Sequence, residues 1–160
     1  MRWVNAVTYS VLIAVIVGLS AAGGWFYWER VQTGGEESAR AVLLKLAAKE
    51  IPEVFAYDYQ TVERSLTAAY PLLTPDYRHE FQKSVDSKII PEAKKREVVV
   101  QANVVGVGVM SAKRDSASVM VYMNRTVTDK SRQPLYDGSR LRVDFKKIGD
   151  KWLIAYITPI

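Results

Sequence analysis

The side chains able to do chemistry are few and scattered. One histidine, His79, stands in the stretch Asp76-Tyr77-Arg78-His79-Glu80. An imidazole works as a general acid or base only with a fixed partner and a pocket. There is no second histidine to pair with it, and no acid cluster has metal-ligand spacing. Cysteine is absent, which excludes disulfide staples and thiolate metal sites. Asp58, between Tyr57 and Tyr59, is the acid most closely flanked by aromatics. A turn-forming or helix-capping aspartate is the simpler reading of it. The glycines of VVGVGVM fall in a strand pattern, where they let a sheet bend or another backbone approach, and form no phosphate loop. Lys94-Lys95-Arg96 offers contacts to anionic headgroups or an acidic partner, although a short basic run is more simply a solvated loop. Asn124-Arg125-Thr126 spells a glycosylation triplet inside a strand, which reads as coincidence.

The elements that must hold these residues follow from periodicity. Apolar positions Ala39, Val42, Leu43, Leu46, Ala47, Ile51, Val54 and Phe55 recur in steps of three and four, predicting a first helix that Ser38 caps and Pro52 kinks. Val62, Leu66 and Ala69 predict a shorter second helix ending at Pro71. Thr74-Pro75-Asp76 combines a cap, a first-turn proline and a first-turn acid. A third helix then carries Tyr77, Phe81, Val85 and Ile89 on one face until Pro91 closes it. His79 lies off that stripe and is expected to face solvent.

From Glu97 the period becomes two. Val98, Val100, Ala102 and Val104 share one parity, then Val105, Val107 and Val109 take the other. Such a slip inside one strand marks a β-bulge. Ala117, Val119, Val121 and Met123 predict a second strand after the Lys113-Arg114-Asp115 turn. Leu141, Val143 and Phe145 alternate with charged neighbours in a third, and Gly149-Asp150 turns into a fourth with Trp152, Ile154 and Tyr156. Three helices followed by four antiparallel strands predict one α+β domain over 38–160.

The amino-terminal part differs in kind. No charged side chain occurs from Trp3 to Trp28, and about 20 apolar residues suffice to cross a ~30 Å hydrocarbon core. Trp3 at one end and Trp25-Phe26-Tyr27-Trp28 at the other have the amphipathic rings that favour the headgroup layers. Residues 1–28 are therefore expected to be a membrane anchor and 29–37 a short linker. A cleavable signal peptide would find small residues at Ser20-Ala21-Ala22, but cleavage there would leave the aromatic cluster on a soluble product. Arg2 and the terminal amine favour a cytoplasmic N-terminus in the plasma membrane, with the domain outside. The net charge of +5, without a concentrated basic stripe, makes no case for nucleic acid.

The pattern resembles the actinobacterial Mce-associated membrane proteins, accessory factors of the mammalian-cell-entry (Mce) lipid transporters. The resemblance is carried by the single N-terminal span, the alanine-rich ARAVLLKLAAKE, the Asp58-Tyr59 step, LLTPDYRHEF and the closing RLRVDFKKIGDKWLIAYI. It runs over nearly the whole chain in order and texture. It implies a domain like that of nuclear transport factor 2, a cone of curved sheet backed by helices. A similar cone occurs in the periplasmic core of a type IV secretion assembly factor. Many members carry a long polar cytoplasmic tail before the span, and a function residing in such a tail is not implied here.

The anchor and the site-poor domain suggest a non-enzymatic, membrane-anchored accessory subunit with no cofactor, and the resemblance implies its role, to bind and stabilise, or help assemble, a Mce-type lipid import complex. The alternative is a carrier or sensor holding a lipid or sterol in the cone, with Tyr57, Tyr59, Trp152 and Tyr156 as pocket aromatics. Cones of this kind also host enzymes that use an acid in an apolar pocket, but most acids here fall on wet parities or in turns.

Overall fold

The computed structural model describes residues 36–160 together with Ser20, Gly23 and Gly24. The expected anchor, including Trp3, Trp25, Phe26, Tyr27 and Trp28, lies outside the described residues apart from those three. Most of the expected linker does too. Among the described residues no helix is long and apolar enough to cross a membrane.

Residues 36–55 are helical (α1). Ala39, Leu43, Ala47, Ile51 and Val54 are all buried, as one stripe at helical spacing requires. Ser38 does not cap this helix, because Glu36 and Glu37 before it are already helical. The helix continues through Pro52, whose carbonyl accepts from the Ala56 N–H at 2.8 Å. After a two-residue strand β1 (Tyr57–Asp58) come α2 (Val62–Ala68) and a 3₁₀ turn, Tyr70–Leu72. Thr74 opens α3 (Pro75–Ser84), its hydroxyl accepting from the Tyr77 N–H at 3.4 Å.

Pro91 does not close this third helical stretch. A π-turn at Val85–Ile89 is followed by α4 (Ile90–Arg96), so the stretch runs on to Arg96. The Ile90 N–H reaches back to the Val85 carbonyl, and this wider turn accommodates a proline whose ring would clash with a regular α ladder. The run Lys94-Lys95-Arg96 is consequently the last helical turn and not a loop, where cations meet the negative end of the helix dipole. Glu97 ends it in the left-handed region, φ 55°.

The sheet has five strands, not four, in the order β1-β2-β3-β4-β5: β2 Val99–Ala112, β3 Ser116–Thr128, β4 Leu135–Ile148 and β5 Lys151–Pro159. All neighbours are antiparallel. The added strand, β1, pairs Tyr57 with Val100 and Asp58 with Val99. Two residues are too short to show any period, so only tertiary pairing reveals it. The expected bulge in β2 is present: the register skips Val105, which is 58 % exposed as the unpaired residue, and Val107 and Val109 then pack on the core. A bulge at Ala155 in β5 changes parity after Ile154, so Tyr156 turns outward while Ile157 packs on the core.

The main core lies between α1 and the inner sheet face, where Leu43, Ala47 and Ile51 meet Val119, Val121, Leu141, Val143, Phe145 and Ile154. Each large side chain so buried contributes ~1.5–3 kcal/mol. A second cluster joins Val62 and Leu66 of α2 to Val85, Ala93, Val98 and Val100. Between the two layers, at the β1 edge, they leave a cavity.

Candidate functional site

The cavity, of about 440 Å³, is bounded by the end of α1 (Val54, Phe55), by Leu66, Phe81, Ile89 and Ala93 on the helices, by Tyr57, Val100 and Val127 on the sheet, and by Val98 just before β2. Its size falls within the ~300–1,000 Å³ usual for small-molecule sites. Lys88, Glu92, Arg96 and Arg125 also line it.

Arg125 is there because of strand parity. On β3 it stands two residues from Met123 and two from Val127, in line with the buried Val119 and Val121. Directly opposite, Asp137 of β4 accepts from the Arg125 Nη2, and Ser139 Oγ lies 3.4 Å from that nitrogen and 3.0 Å from the Asp137 carboxylate. The Arg125 bond, then that of Ser139, lowers the Asp137 pKa. Arg125 Nε is buried with no hydrogen-bond partner. Burial raises the Tyr57 hydroxyl, while the charges of Arg125 and Arg96 draw it down. An otherwise apolar inner face thus acquires one polar end.

The four pocket aromatics expected from the sequence are not brought together. Tyr57 lines the cavity, and Tyr59 packs on the second core cluster beside it. Trp152 and Tyr156 lie on β5, the opposite edge strand. Trp152 packs against the main core, and Tyr156 is 49 % exposed with its ring 5.4 Å from that of Tyr77. Of the basic run, Lys94 Nζ pairs with Glu63 at 2.5 Å and Arg96 with Asp129 at 2.8 Å, while Lys95 is exposed. Asp58 forms a turn: its Oδ1 accepts from the Gln60 N–H at 2.8 Å. His79 is exposed.

Sequence reasoning missed Glu50 as well as Arg125. Glu50 is only 9 % exposed, and its Oε2 is buried without a partner. Burial, reinforced by Glu53, pushes its carboxyl up to about 7. The signal was present in its spacing, seven residues after Leu43 and four before Val54 on the buried stripe.

A second recess of about 530 Å³ runs beside the β2–β3 turn, lined by Ser111, Lys113, Asp115, Ser118, Asp144 and Lys146 among others. There Ser118 donates to Asp144, and Arg142 Nε donates to the same carboxylate at 3.0 Å. Asp144 thus already accepts two donors, and the one histidine stands apart on α3. Among the described residues no group of three or more histidine or acidic side chains gathers around a metal-sized site.

No family model matches the chain. It is 25 % identical to outer membrane protein Rv1973 of Mycobacterium tuberculosis over 160 residues, the full length of both. It is 26 % identical to an uncharacterized protein of the same organism, Rv1362c, over 94 % of this chain and 70 % of that one. Among solved structures it superimposes on an IcmL-like type IV secretion system protein of Legionella pneumophila with a TM-score of 0.64. That match has 15 % identity and covers 76 % of this chain and 93 % of the other. For the VirB8 protein of Agrobacterium tumefaciens the TM-score is 0.60 at 11 % identity, covering 77 % and 92 %. For a nuclear transport factor 2-like protein of Salmonella enterica it is 0.53 at 9 %, covering 75 % and 91 %. The fold is nuclear transport factor 2-like, in its VirB8-like form.

Proposed function

We propose that this chain is a non-enzymatic accessory protein of the cell envelope. Residues 1–28 hold it in the plasma membrane as a single-pass anchor, with the N-terminus cytoplasmic and the domain extracytoplasmic. The domain binds and stabilises, or helps assemble, a Mce-type lipid import complex. The observation that carries the envelope part of this reading is the alignment, over the full length of both chains, with a mycobacterial protein named an outer membrane protein. The fold adds support, since its neighbours include components of type IV secretion systems. The transporter as partner follows from the resemblance in ARAVLLKLAAKE and LLTPDYRHEF. Lys94, Lys95 and Arg96, exposed at the end of α4, are the proposed contact with an acidic partner or with headgroups.

The test is purification of the tagged full chain from native membranes in mild detergent. Transporter subunits are expected to co-purify, and their levels to fall in cells lacking the chain. Recovery of the protein alone, with transporter levels unchanged, contradicts the proposal.

A further inference from the structure

We infer that the cavity at the β1 edge binds a single-chain amphiphile with an anionic head, the head held by Arg125 beside Tyr57 and the chain lying along the apolar wall. The inference is independent of the transporter assignment, and it places the ligand at the edge opposite Trp152 and Tyr156.

Three observations converge on it. The cavity wall is apolar along most of its extent, with Val54, Phe55, Leu66, Phe81, Ile89 and Val127 contributed by four separate parts of the chain. That is the surface a hydrocarbon tail displaces water from. Of the lining charges, Arg96 and Arg125 are paired with Asp129 and Asp137, while Lys88 has no ion-pair partner among the described residues, so a negative head is the complementary one. Finally, the inner face of β3 is apolar at Val119, Val121, Met123 and Val127 and broken only by Arg125, a cation that also lines the cavity. A guanidinium at the end of an apolar wall offers a carboxylate or phosphate oxygen a charge-assisted hydrogen bond. A neutral sterol supplies no such acceptor charge. Asp137 competes for the same guanidinium through Nη2.

The experiment uses the full chain in nanodiscs of neutral phosphatidylcholine. Two probes are added in separate arms, a diazirine-bearing palmitic acid and a diazirine-bearing lysophosphatidic acid, and the photolabelled peptides are mapped. Labelling of residues 1–28 by probe dissolved in the bilayer serves as the internal reference. Labelling of the α4 and β3 peptides is expected relative to that reference, competed by unlabelled palmitic acid and not by methyl palmitate. Whichever probe labels more strongly identifies the head as a free carboxylate or a lipid phosphate. In Arg125→Gln the cavity label should fall about tenfold, the scale of one lost charge-assisted hydrogen bond. In Asp137→Asn it should rise, because the guanidinium is released. Misfolding would lower both, so the opposite signs are diagnostic. Label confined to residues 1–28, competition by methyl palmitate equal to that by the acid, or variants that change together or not at all overturns the inference.

Discussion

The Arg96 guanidinium lies 2.8 Å from the Asp129 carboxylate and ties the last turn of α4 to the β3–β4 turn. The backbone repeats the link, with the Lys130 N–H donating to the Arg96 carbonyl at 3.0 Å. Hydrogen bonds from Arg96, then from Ser131, lower the Asp129 carboxyl from 3.8 to about 2. A depressed folded-state pKa gives stability that is present above the unfolded value of 3.8 and lost as pH falls through about 2. Acid unfolding should therefore steepen across that window, and Asp129→Asn should flatten it. Superimposable acid limbs for the two proteins would show that the pair contributes nothing measurable.

Glu50 should act in the opposite sense. Its carboxyl is raised from 4.5 to about 7, so the folded state keeps a proton that the unfolded chain has already released. Stability then declines as pH climbs from 4.5 to about 7 and levels off above that. Denaturation at pH 5 and pH 8 should show wild type losing roughly 1–3 kcal/mol from this group, and Glu50→Gln losing much less. Equal pH slopes in the two proteins would place Glu50 in water.

Two adjacent leucines on α1 separate packing from composition. Leu43 is fully buried against the sheet, whereas Leu44 is 38 % exposed. Leu43→Ala should cost about 2–5 kcal/mol in chemical denaturation, and Leu44→Ala within about 0.5. Comparable losses at both positions would mean that the helix face is misassigned.

Much of this architecture was legible wherever a period had room to repeat. Leu43, Ala47 and Ile51 reveal the face of α1. Leu141, Val143 and Phe145 do the same for β4, and the slip at Val105 announces its bulge. Features decided by tertiary context were not legible. Strand β1 exists only because Val99 and Val100 pair with it. Pro91 reads locally as a stop, yet the π-turn before it carries the helix on to Arg96. Tyr156 turns outward because Ala155 breaks the parity of β5. The cavity draws its walls from distant elements, so no local pattern could announce it. Arg125 was nonetheless visible as a lone cation on the inward parity of β3, and Glu50 as a lone acid on the α1 stripe.

Alkaline washing of native membranes, followed by detection of the intact chain, tests the membrane tether on which the functional account stands. The account predicts that the full-length protein stays in the membrane pellet, because transferring the uncharged run from Trp3 to Trp28 into water is strongly unfavourable. Intact chain in the soluble fraction would contradict it.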